Sequence, residues 1–99
     1  MTAWARDTMV RRRENIAIVT RTNQLVVLAL DQPSCEPFSI SGSGVDVWQS
    51  IESSFQSISD LSNRISRIAH IDPRSIEGDI INFVSVLFSK GLIERGDEA

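Results

Sequence analysis

At 99 residues, with 41% hydrophobic residues and a net charge of -3, the chain has material for one core and none to spare for a deep catalytic cleft. The acidic balance argues against duplex DNA, which is bound by Lys and Arg neutralising phosphates. A single cysteine, Cys35, excludes an internal disulfide and a thiolate metal cluster, and no apolar run approaches the roughly 20 residues that span a bilayer.

Residues 1–15 are mixed and basic, with no sustained period. They read as a mobile arm carrying Trp4 and the run Arg11, Arg12 and Arg13. No apolar signal-peptide segment adjoins that run, so a cytoplasmic protein is expected. Ile16 to Thr20 is a short β-branched run and predicts a strand. Arg21, Thr22 and Asn23 turn the chain. Gln24 to Leu30 (QLVVLAL) is the strongest strand signal, apolar enough for a central strand buried on both faces. After a polar connection through Pro33 comes a third strand, Cys35 to Ile40 (CEPFSI), with Phe38 and Ile40 on one face. Pro37 lacks the amide hydrogen a ladder needs, which assigns this strand to a sheet edge. Three strands with short links predict an antiparallel meander.

The period then lengthens. Ser43 and Asp46 have the spacing of a capping box, and Trp48, Ile51 and Phe55 share a helical face. A second helix begins at Ser57 or Ser59 and carries Ile58, Leu61, Ile65 and Ile68 at steps of three and four. Asp72 and Pro73 open a third, the one as cap and the other at the first helical position. Lys90 and Gly91 end it, the glycine free to turn left-handed. Residues 94–99 read as an acidic tail.

The third helix carries more apolar residues than one stripe requires. Ile76, Ile80, Phe83 and Leu87 form the predicted core face. Ile81, Val84 and Phe88 extend it to one side, and Val86 lies on the other, near Asp79 and Asn82. The first two helices can cover the surplus; otherwise part of it lines a groove.

Ile40-Ser41-Gly42-Ser43-Gly44-Val45-Asp46-Val47-Trp48 resembles the strand-to-helix junction of the PqqD-like proteins, the recognition elements for ribosomally synthesised, modified peptides. Ile76, Asp79-Ile80, Phe83-Val84, Leu87 and Gly91-Leu92-Ile93 resemble that family's last helix and its closing Gly-Leu-apolar signature. The resemblance runs over residues 16–93. It departs at Ser41, where Asn is commoner, and between Ser53 and Ser57, where a Gly is usual. It implies an α+β, winged-helix-like domain, a three-stranded antiparallel sheet followed by three helices. It also implies a non-catalytic peptide chaperone without cofactor or metal. Such a protein binds the leader segment of a precursor peptide as an added strand and presents it to a modifying enzyme or leader peptidase, as in cofactor or lasso-peptide biosynthesis.

The resemblance puts the leader between the third strand and the third helix. Strand addition draws affinity from main-chain hydrogen bonds and specificity from side-chain pockets. The central strand should not face a missing donor, so Pro37 should turn its backbone to the open edge. Cys35 and Ser39 share that direction, and Phe38 and Ile40 anchor the strand in the core. The predicted peptide-binding residues are Cys35, Glu36, Pro37, Phe38, Ser39 and Ile40, with Phe83 and Val86 as the groove wall and Asp79 and Asn82 at its rim. Pro37 also serves to guard an exposed edge against aggregation.

Two other readings fit parts of the pattern. A winged-helix DNA-binding regulator would present Arg74, Glu77 and Asp79 to a groove, a mixture poorly matched to phosphates. An open edge could instead pair with itself in a homodimer. Catalysis has little support. His70, the one histidine, sits where a helix C-terminal cation belongs, Cys35 lacks an activating neighbour, and Gly42-Ser43-Gly44 is too short for a phosphate loop.

Overall fold

In the computed structural model, residues 4–31 and 36–96 are described. Their elements are β1 (Met9–Arg12), β2 (Ile16–Arg21), β3 (Gln24–Ala29), β4 (Phe38–Ser41), α1 (Ser43–Ser50), β5 (Gln56–Ser57), α2 (Ile58–Ala69), α3 (Pro73–Ser89) and β6 (Ile93–Arg95). The fold is α+β, with two antiparallel sheets ordered β2-β3-β4 and β5-β1-β6. Among the described residues, no helix is long and apolar enough to cross a membrane.

The first sheet is the expected meander. A two-residue turn joins β2 to β3, with Asn23 at a φ of 62°, a left-handed conformation that Asn tolerates better than most residues. Leu25, Val27 and Ala29 are buried, while Gln24, Val26 and Leu28 are half-buried. The central strand therefore has one core face and one face shielded mainly by its neighbours. Leu30, predicted as its last residue, is exposed beyond its end.

The second sheet was not expected. Val10, in the segment predicted to be a mobile arm, is 0% exposed and pairs with both Gln56 and Arg95. Trp4 packs edge-on against Phe88, with ring centroids 5.7 Å apart, and lies beneath the guanidinium of Arg95. Arg95 is itself buried, at 3% exposure, so β6 occupies the start of the predicted acidic tail. These strands have four residues or fewer. Isolated runs so short show no usable period, and pairing distant segments stabilises them.

The arginine run is built into this sheet. Arg12 donates from Nη2 to the Trp48 carbonyl at 2.6 Å and stacks 4.5 Å from the Trp48 ring centroid. Burial pulls its pKa below the ordinary arginine value, because desolvation disfavours the cation. Arg11 pairs with Glu94 at 2.7 Å, and Arg13 with Asp31 at 3.1 Å.

The helix ends follow the sequence in two cases of three. Ser57 caps α2, accepting from the amide of Asp60 at 3.0 Å, and Asp72 caps α3, accepting from that of Arg74 at 2.9 Å. The capping box at Ser43 does not form. The residue preceding α1 is Gly42, at a φ of 61° and without a side-chain cap. The sharp exit from β4 needs a left-handed residue there, and this places Ser43 inside the helix. α1 also ends at Ser50, before Phe55, which is exposed on a loop under Arg11. Ile68, predicted to face the core, is exposed near the end of α2. The core gathers Trp48, Ile58, Leu61, Ile80, Val84 and Leu87 from the helices, and Ile51 just past α1, against Leu25, Val27 and Ile40. Val84, placed beside the predicted stripe, is thus central to it.

Candidate functional site

The meander has two edges, β2 and β4, and β4 runs beside α3. The direction of its backbone groups follows from the register. The amide of Leu30 donates to the carbonyl of Asn15 at 2.9 Å, so these two opposed residues form a hydrogen-bonded pair. Alternation then turns Ala17, Val19 and Arg21 toward Leu28, Val26 and Gln24. Leu25 and Val27 are left to bond across to β4, where they meet Ile40 and Phe38. Phe38 and Ile40 therefore spend their backbone groups on β3, while those of Ser39 and Ser41 face the open edge. Pro37 immediately precedes β4, outside its pairing register with β3, so its missing N–H removes no ladder hydrogen bond.

Side chains follow the complementary pattern. Ile40 is buried, Phe38 is half-buried, and Ser39 is exposed. Glu36 and Pro37 are exposed and precede the strand, which begins at Phe38 rather than Cys35. Cys35 itself lies outside the described residues.

α3 comes near this edge at two points. A Cβ on Gly44 would sit 3.1 Å from Ile40 Cγ2 and 3.3 Å from Phe83 Cε1. The absence of a side chain at Gly44 thus lets β4 and α3 approach. Toward the other end of the helix, the Lys90 ammonium lies 5.8 Å from the centroid of the Phe38 ring. The helix consequently runs opposite to β4, with Phe83 near Ile40 and Lys90 near Phe38.

Phe83 is half-buried and Val86 is 41% exposed. Asp79 and Asn82 are exposed one turn before them. Phe88 turns away to meet Trp4, and half-buried Ile81 packs on the core. The structure thus places Phe83 near Ile40 and Lys90 near Phe38, and helical geometry turns Val86 closer to their side than Phe88. From the sequence alone, Lys90 is only a helix-ending cation. The helical spacing of Phe83, Val86 and Lys90 was the signal that it shares their side.

The groove is an open edge rather than an enclosed pocket. A hollow of about 530 Å³ lies elsewhere, between the two sheets, lined by residues that include Arg11, Arg13, Asp31 and Glu94. Those four charges are already matched with one another.

Residues 24–93 match the family described as Coenzyme PQQ synthesis protein D (PqqD). No curated protein matches the chain. Among solved structures, the chain is similar to TbiB1 in complex with the TbiA(β) leader peptide, at 19% identity and a TM-score of 0.71, covering 85% of this chain and 94% of that one. It is also similar to the PqqD truncation of Methylobacterium extorquens PqqCD, at 22% identity and a TM-score of 0.74, covering 95% and 97%. That NMR structure is described as a functional, stand-alone recognition element for ribosomally synthesised and post-translationally modified peptides.

Proposed function

The chain belongs to the PqqD family, and on that premise we propose that it is a non-catalytic recognition module for the leader segment of a ribosomal precursor peptide. The leader adds as a strand to the free edge of β4 and lays alternate side chains against α3. The module then presents the precursor to a modifying enzyme or leader peptidase.

The observation that carries this reading is an edge strand with outward backbone groups lying beside the semi-exposed apolar side of a helix. Ser39 and Ser41 each offer an N–H and a C=O, and Pro37 offers a C=O. Each new hydrogen bond contributes about 0.5–1.5 kcal/mol net. Their sum falls short of the roughly 8 kcal/mol of a micromolar complex. Apolar leader side chains against Phe83 and Val86 supply the remainder, at about 25 cal/mol per Å² buried. Guarding the edge and keeping it for one partner are compatible uses of Pro37.

The test is an amide NMR titration of the labelled chain with synthetic leader segments of the precursor encoded beside its gene. Saturable shifts along Phe38–Ser41 and Asp79–Lys90 are expected. No shifts with any leader, together with shifts around Arg74 on adding duplex DNA, would sink the proposal and favour a regulator.

A further inference from the structure

The groove is charged oppositely at its two ends. Asp79 lies one turn before Phe83, at the end where β4 leads into α1. Lys90 lies at the other end, its ammonium reaching across to the Phe38 ring. Neither has an ion-pair partner among the described residues. The three arginines of the β1 region differ, since each is committed to Glu94, Asp31 or the Trp48 carbonyl. Lys90 also follows the last turn of α3, where a cation suits the helix dipole. Its head, however, lies over Phe38 on β4.

The strand direction follows from the sheet. All the pairings in the meander are antiparallel, and antiparallel pairs are the commoner kind. A leader antiparallel to β4 enters near Asp79 and leaves near Lys90. At about 1.5 Å per helical residue these two positions are some 16 Å apart along the axis, a length that about five strand residues cover. Side chains facing the helix recur at every second position.

Resting on the leader-binding reading above, we propose that Asp79 and Lys90 set the charge order of the bound segment. That segment carries a basic residue first and apolar residues at alternate positions toward Phe83 and Val86. An acidic residue follows the basic one after about four to six positions. The reverse order puts like charges together at both ends.

Selection of displayed random peptides on the full chain tests this, with Lys90→Glu and Lys90→Gln selected in parallel. The wild type is expected to enrich basic-before-acidic segments around an apolar centre. Lys90→Glu should replace the acidic preference with a basic one, and Lys90→Gln should abolish it, both keeping the apolar positions. Exchanging the two charges in an enriched synthetic peptide should weaken binding about two- to thirtyfold, the combined range of two exposed ion pairs. Enrichment of apolar segments without charge order, or identical selections from all three proteins, would overturn the charge inference and leave leader binding intact. Failure to enrich any peptide that shifts the Ser39 amide would overturn both.

Discussion

Replacing Ser39 by proline separates the edge's role in binding from its role in folding. The register turns the Ser39 N–H away from β3, so the sheet loses no hydrogen bond, and the exposed hydroxyl makes no core contact. Stability should therefore change by no more than about 1 kcal/mol, the strain of fixing φ near that of proline. The leader loses a donor, and its opposing carbonyl is left facing the pyrrolidine ring. An unsatisfied acceptor costs about 1–3 kcal/mol, so a loss near 2 kcal/mol, or roughly thirtyfold in affinity, is expected. Circular dichroism melts and calorimetric titration with the synthetic leader measure the two quantities. A melting temperature lowered by well over 10 °C would mean that the Ser39 amide bonds to β3, contradicting the register argument. Unchanged stability with unchanged affinity would show that the leader does not use this edge.

Two further substitutions probe the second sheet. Val10→Ala removes two methyl groups from a fully buried site. It should destabilise by about 2–3 kcal/mol from transfer and cavity terms, lowering the midpoint by about 10–20 °C for a domain of this size. A midpoint within a few degrees of wild type would return Met9–Arg12 to the status of a dispensable arm. Arg12→Lys keeps the charge but loses the guanidinium over the Trp48 ring. A loss of about 1–2 kcal/mol in urea denaturation is expected, and no loss would make the contact incidental.

Much of the architecture was legible because it is locally encoded. The β-branched runs gave the meander, and Ser57, Asp72 and Pro73 marked helix starts through chemistry confined to one turn. The edge position of the strand that follows Pro37 needed only that residue's missing donor. The errors have a common cause. Ser43 has the right spacing for a cap, but the turn out of β4 assigns that role to Gly42. Phe55 keeps helical spacing from Trp48 and Ile51, yet the helix has ended before it. At the candidate site, β4 could be read as an edge and α3 as over-apolar, while the side of α3 facing β4 could not. That side depends on Gly44, whose missing side chain leaves room between Ile40 and Phe83, residues far apart in sequence.

The sequence by itself determined the strand and helix types, two helix caps, the edge position of β4 and the family. Periodicity, caps and donor inventory act within a few residues, so they are visible without neighbours. Only the tertiary structure decided that Val10 belongs to the core and that Arg95 is buried. It also decided that Arg12 is a packing residue, and that Phe83 and Lys90 lie on the strand's side of α3. Short strands and buried cations are stabilised by partners from elsewhere in the chain, and those partners carry no mark in the local pattern.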